Sequence, residues 1–230
     1  MKIFAGGSGV SVGTSRTTSD RDNEMGSNSK IEFTGSVIGS KSNLLVSSDN
    51  GGVKLSGTAV PSVGDTEINA KNLDNSTANR VGIDIGTTNI TNAGTTTVSG
   101  DGGVKVTNSS LISDSNITVT SNRGALVSNS GSSYRSSGTN SIIKLVAHNS
   151  DPLKLVQDIG PTPDVQYAPQ VSDVSAAHII FESDQGINLQ LPSGGSYPNQ
   201  IIRTFNTQLI EVEFNGIPGE YYIAGFGNDE

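Results

Sequence analysis

The sequence predicts an all-β protein, and three observations carry that prediction. Apolar residues recur at alternate positions in short runs. Clusters of Gly, Asn, Asp and Ser separate these runs. Stretches of strong helix formers are scarce, while Ser, Thr and Asn, whose side chains bond nearby backbone and disfavour helix interiors, are abundant. Charged residues make up only 16% of the chain, against a usual figure of about 25%, so its polarity comes from neutral side chains. A wholly disordered chain is the competing reading of such a composition, and the regular alternation argues against it.

Residues 1–29 are rich in Gly and Ser with scattered charges, and read as a flexible attachment arm. Ser19 to Met25 (SDRDNEM) has the composition for one helical turn. From Lys30 alternation takes over. Ile31 and Phe33 point one way and Glu32 the other. Val81, Ile83 and Ile85 share a face opposite Asp84. Val104 and Val106 stand against Lys105, and Ile117 and Val119 against Thr118. A period of two marks strands with one buried face. DNGG, DGG, SNRG and NSGSS punctuate them as tight turns, with Gly supplying positive φ.

Two stretches in this region are near copies. VSSDNGGVKLSG begins at Val46 and VSGDGGVKVTNS at Val98, with paired glycines at Gly51-Gly52 and Gly102-Gly103, an offset of 51 residues. A recurring turn-strand unit suggests stacked layers, as in a β-helix or a fibre shaft. A sandwich of short antiparallel strands fits the same spacing. Residues 30–160 are therefore read as a repetitive β-rich shaft, stacked or meandering. SIIKLVAH, from Ser141, is its most apolar strand, and LKLVQDI, from Leu153, is a candidate partner.

Prolines concentrate in PTPDVQYAP, which suits an extended connector over 161–170. Residues 171–230 then read as a small antiparallel meander with the better core of the two parts. Ile210, Val212 and Phe214 face inward there, and Glu211 and Glu213 outward.

Charge and composition exclude several functions. A net charge of −8 with thinly spread Lys and Arg argues against nucleic acid as a partner. No apolar run approaches the roughly 20 residues of a membrane helix. The chain has no Cys, so thiolate chemistry is absent. Its start, MKIFAGGSGVSVGTS, lacks the apolar core of a secretory signal.

The search for catalytic chemistry is equally negative. His148 and His178 sit in apolar strands without metal-ligand spacing and read as packing residues. Asp84, Asp101 and Asp114 are the candidates for a carboxylate pair of the kind glycoside hydrolysis needs. Asp101 belongs to a turn, however, and Asp84 looks outward from its strand. Asp49-Asn50-Gly51 and Asp101-Gly102 lack the spacing of a calcium loop. No catalytic residue, metal or cofactor is expected.

The segment from Ile187 to Gly216, INLQLPSGGSYPNQIIRTFNTQLIEVEFNG, resembles phage fibre and tail proteins. A strand ending in Leu191-Pro192, the turn Ser196-Tyr197-Pro198-Asn199-Gln200 and the strand from Ile202 to Asn206 carry the resemblance. It implies a virion surface module: a head or tail fibre or decoration protein assembled in the host cytoplasm and released by lysis. Its expected partners are phage capsid or tail proteins, sister copies in a homotrimer and host-surface glycans. Ile3, Phe4, Arg16 and Arg21 would attach to the particle, and Tyr221, Tyr222 and Phe226 would form the distal contact. A β-helical polysaccharide depolymerase and a bacterial adhesin fragment are the alternatives.

Overall fold

The computed structural model describes residues 2–5, 10–13, 16–21, 23–27, 29–71, 81–123, 126–129, 131–148, 165–167, 173–183, 187–191, 200–204, 210–214 and 221–225. Every described element is a strand, and every strand pair is parallel. The chain coils as a β-solenoid, and through Ser175 each full turn lays one strand in each of three sheets. Asn23–Ser27 enters sheet I, Ile31–Thr34 sheet II and Val37–Ser40 sheet III; Leu44–Ser48 then returns to sheet I beside the first. Sheet I has 10 strands, sheet II 9 and sheet III 7. The stacked-layer reading is the right one, and the antiparallel sandwich falls away.

The register gives the length of a turn. In sheet II Val10 lies beside Ile31, Ile31 beside Val53, Val53 beside Ile83 and Ile83 beside Val104, steps of 21, 22, 30 and 21 residues. The near copies at an offset of 51 are thus two turns apart. The turn between them is disguised by extra residues ahead of Val81 and by Asp84 where its neighbours carry Lys54 and Lys105.

Alternation fills the interior. Sheet II stacks Ile31, Val53, Ile83, Val104 and Leu126 in one column, and Phe33, Leu55, Ile85 and Val106 in a second, all fully or nearly fully buried. Sheet III contributes Ile38, Val60, Ile90, Leu111 and Tyr134. Each such side chain stabilises the fold by about 1.5–3 kcal/mol, and like stacks on like because parallel strands keep equivalent positions in register. Where Tyr134 brings a ring and a hydroxyl inside, the second column of sheet II carries Ser128, whose Oγ is 2.9 Å from the phenol oxygen. Burial pushes the Tyr134 phenol well above its ordinary range, against a smaller opposing effect of that hydrogen bond.

The corners explain the Ser, Thr and Asn. At the II–III corner one residue takes a left-handed backbone in five successive turns: Gly35, Gly57, Thr87, Asn108 and Gly131, with φ between 48° and 73°. The next residue is a buried hydroxyl, namely Ser36, Thr58, Thr88, Ser109 and Ser132. These hydroxyls donate to carbonyls of their own or the preceding turn, Thr58 to Phe33 O at 3.3 Å and Ser109 to Ile85 O at 3.2 Å. The Thr88 amide in turn donates to Ser109 Oγ at 3.0 Å. A polar residue in the interior is satisfied only by such bonds, and a stack of turns supplies them at every level.

The III–I corner repeats the device with Ser40, Ser62 and Ser113. Ser40 Oγ donates to Arg21 O at 2.6 Å and Ser62 Oγ to Ser42 O at 2.8 Å. Ser136 bonds Ser115 O in the same way. At the I–II corner Ser48 and Ser121 reach Ser29 O and Gly102 O at 2.8 and 3.0 Å.

Several expectations are corrected here. Residues 2–27 carry four strands in place of a loose arm, and Asn23–Ser27 is a strand of sheet I where a helical turn was predicted. The Gly-rich segments are corners between sheets, not hairpin turns. Gly51 and Gly52 are not left-handed. Gly51 is needed because a Cβ there would fall 2.4 Å from Lys30 N in the turn before, so backbone passes too close for any side chain. Ile142–Ala147 pairs with Ile117–Ser121 and His178–Ser183, so it has no place for the predicted partner at 153–159, which lies outside the described residues. Sheet I thereby crosses the predicted connector, of which Val165–Tyr167 is described, as a strand of sheet II.

The antiparallel meander is also replaced. His178–Ser183, Gln200–Thr204 and Tyr221–Gly225 extend sheet I in parallel, and Ile187–Leu191 and Ile210–Phe214 extend sheet II. The alternation that suggested hairpins reports a half-buried strand equally well in either direction, because side chains alternate regardless of the partner's polarity.

Candidate functional site

The outer face of sheet II carries the charges. Glu32, Lys54, Asp84 and Lys105 lie in register on four successive strands, alternating in sign. They point outward because their neighbours Ile31, Phe33, Val53, Leu55, Ile83, Ile85, Val104 and Val106 point in. Glu32 accepts from Lys30 Nζ at 2.8 Å and from Lys54 Nζ at 3.1 Å. These two hydrogen bonds hold its carboxyl below the ordinary carboxylate range, outweighing a small opposing effect of burial.

Where this ladder meets the I–II corner there is a groove of about 450 Å³, lined by Ser29, Lys30, Asn50, Gly51, Gly52, Val53, Lys54, Val81 and Asp84. The corner is narrow at this level because Gly51 and Gly52 keep side chains out of the space between turns. The next turn breaks step, with a register shift between Val81 and Ile83. Val81, which lines the groove, is also the first residue of its sheet II strand. The groove offers two ammonium groups, one carboxylate, an amide, a hydroxyl and the half-buried backbone of Gly52. That set can donate to and accept from a polyhydroxylated ligand.

Sequence reasoning singled out Asp84 but not Lys30 or Lys54, and it named Asn50 only in the calcium-loop spacing it set aside. The lysines of the two GGVK units were visible, but their alignment with Asp84 follows only once the offset of 51 is resolved into two turns. The other carboxylates lie elsewhere. Asp101, at the I–II corner, pairs with Arg123 at 3.3 Å and accepts from Asn122. Asp114, at the III–I corner, accepts from Ser137 Oγ at 2.8 Å. The structure does not bring the three together.

His148 follows the end of a sheet I strand and donates its amide to Ser121 O, and His178 opens the next strand of that sheet. Among the described residues no three His, Asp or Glu gather as a metal site, and no helix is long and apolar enough to cross a membrane.

The remaining sequence-selected residues fall at the two ends of the stack. Lys2–Ala5, with Ile3 and Phe4, is the outermost strand of sheet I at one end, and Tyr221–Gly225, with Tyr221 and Tyr222, is the outermost at the other. Arg16 opens the first strand of sheet III and Arg21 sits at the following corner, both exposed. Phe226 lies outside the described residues. Comparison with family models, with curated proteins and with solved structures finds no match to this chain.

Proposed function

We propose that this chain is a non-enzymatic virion structural protein. It is a head or tail fibre or decoration protein on the surface of a phage particle, present as a homo-oligomer, most simply a trimer, and it touches host-surface glycans through the groove at the I–II corner. One observation carries the reading. Parallel turns stack continuously from Lys2 to Gly225, wetted by neutral hydroxyls and presenting a polar groove. Such a stack suits a shaft that spans distance and offers repeated lateral contacts.

Two further features support it. The segment resembling fibre proteins supplies strands at one end of the stack, and the proposed attachment residues Ile3 and Phe4 stand at the opposite end. Immunogold labelling of particles whose genome encodes this chain tests the proposal. Gold on intact particles is expected, and label confined to the soluble fraction of the host lysate would overturn it. Loss of glycan binding on Lys54→Ala, with the fold retained by circular dichroism, tests the role of the groove.

A second reading, a polysaccharide depolymerase, is favoured by one observation only: Asp84 is a carboxylate that lines a groove. Release of reducing ends from host polysaccharide that disappears in Asp84→Asn would establish it.

A further inference from the structure

Two neighbouring groups in the groove are left without hydrogen bonds. Asn50 and Gly51 stand in the middle of the I–II corner between Leu44–Ser48 and Val53–Ser56. The corner is pinned on both sides of them. The Asp49 amide donates to Ser27 O at 2.8 Å, and Gly52 O accepts from the Ile31 amide at 2.8 Å. Between these bonds the Asn50 carboxamide is exposed and bonds to no described residue, and the Gly51 N–H has no acceptor among the described residues. An unpartnered backbone N–H is uncommon in a folded chain. Here it directly follows an unpartnered asparagine side chain.

Four other asparagines show the contrast. Asn43 Oδ1 accepts from the Asp65 amide at 2.9 Å and Asn116 Oδ1 from the Ile142 amide at 2.8 Å. Asn23 and Asn92 donate to Gly39 O and Gly64 O at 2.9 and 3.3 Å. Each is followed by a residue whose Cβ crowds the next amide nitrogen: Leu44, Ile117, Glu24 and Ala93. Asn50 is the one asparagine among the described residues that precedes a glycine, which has no Cβ.

We propose that Asn50 is a site of self-modification. The Gly51 nitrogen attacks Cγ of Asn50. A new N–C bond forms, the Cγ–Nδ2 bond breaks, and ammonia leaves with the proton that the Gly51 nitrogen gives up. Water then opens the cyclic imide at either carbonyl, leaving aspartate or isoaspartate at position 50. The sum is amide plus water to carboxylic acid plus ammonia, so no oxidant, reductant or cofactor is needed. Attack requires only that Asn50 turn its exposed carboxamide back onto the nitrogen that follows it. The step builds negative charge on nitrogen and oxygen, which the ammonium groups of Lys30 and Lys54 in the same groove favour.

The consequence falls on the groove. Its lining carries Lys30 and Lys54 against Asp84, two positive charges and one negative. A carboxylate at position 50 brings it to two of each. Isoaspartate also lengthens the main chain by one carbon, next to a glycine whose Cβ would already fall 2.4 Å from Lys30 N. A newly made chain and an aged one therefore present different grooves. This inference needs only the geometry of the groove and stands whether or not the groove takes a glycan.

The test is peptide mapping of the full folded chain held at mildly alkaline pH for several weeks. Trypsin releases Ser42–Lys54, which carries both Asn43 and Asn50, so one fragment holds the site and its control. The mass increase of amide-to-acid exchange is expected at Asn50 faster than at Asn43 by about tenfold or more, the combined effect on the barrier of the missing Cβ and the free amide. Electron-transfer fragmentation should show isoaspartate beside aspartate. Asn50→Ser should leave the fragment unchanged in mass, with the circular dichroism of the wild type. An Asn50 that stays intact in the folded chain overturns the proposal, with the synthetic peptide 42–54 showing that the conditions suffice. Aspartate alone overturns it too, because direct hydrolysis of the side chain gives no isoaspartate.

Discussion

Two corners of the same coil solve the same geometric problem in opposite ways. The II–III corner turns in two residues at four successive levels, from Thr34 to Ser110, each with one left-handed residue followed by one buried hydroxyl, and Gly131-Ser132 repeats that pair at the next level. The I–II corner varies in length, from two residues between Gly100 and Gly103 to the connection of 71–80 and the longer one of 148–164. Its groove is lined in part by Val81, the residue that follows the first of these long connections in sequence. The difference teaches where register is kept and where it is free. A corner whose polar groups are buried and bonded to the turn before fixes the phase of the coil. A corner that opens to solvent lets the chain depart and return at the same phase.

The largest expected effect breaks that contrast directly. One glycine inserted between Asn108 and Ser109 displaces the buried hydroxyl and turns every following inward residue outward until the strand slips back. A loss above about 4 kcal/mol, or of cooperative unfolding altogether, is expected in urea titration. A short Gly-Ser insertion inside 72–80 should cost under about 1 kcal/mol.

Next come close approaches and buried polarity. Gly51→Ala places a Cβ against Lys30 backbone and should cost about 1–3 kcal/mol or more. Gly57→Ala, left-handed but with a Cβ only in ordinary contact with Gly35, should cost about 1–2 kcal/mol. Thermal unfolding of the pair shows whether packing or φ dominates. Tyr134→Phe removes the partner of Ser128 Oγ in a buried site and should cost about 1–3 kcal/mol, part of it recovered in the double variant with Ser128→Ala. Because the folded phenol titrates above the unfolded one, this group's contribution is complete below about pH 10 and fades as pH rises toward the folded value. Tyr134→Phe should therefore flatten the alkaline limb of the stability curve.

A gain should follow at the one β-branched left-handed position among the described residues. Thr87→Gly relieves a φ of 50° and should raise stability by about 1 kcal/mol. The smallest effect belongs to the charged face. Glu32 titrates lower in the folded chain than in the unfolded one, so its contribution is present above about pH 4.3 and is lost as pH falls through the depressed value. Glu32 is partly exposed, so the contribution is under about 1 kcal/mol and is screened by salt. Acid titration of Lys54→Met beside the wild type measures it.

These contrasts also mark what the sequence disclosed. Ile31, Phe33, Ile83, Ile85, Val104, Val106, Ile117 and Val119 are where alternation put them, because a one-sided strand writes its burial into a period of two; Val81, expected inward with Ile83, instead lines the groove because the register shifts between them. The stacked layers were visible in the GGVK copies. The turn length was hidden by the connection at 71–80, which stretches one interval to 30. The left-handed corner was missed because its occupants are Gly, Thr and Asn in turn, and φ leaves no single residue as its mark. The groove was out of reach for a related reason: Lys30, Lys54 and Asp84 meet across three turns, a proximity that exists only once register is known.

One feature of the coil bears on how the protein comes into being. Each level hydrogen-bonds only to the level before and the level after. A ribosome adding about 5–20 residues per second releases enough chain for a new level within a few seconds. That chain finds a finished sheet edge already waiting as its template. Growth from the amino terminus then never requires distant segments to search for one another, so a slow, topologically demanding parallel architecture becomes a sequence of short local additions.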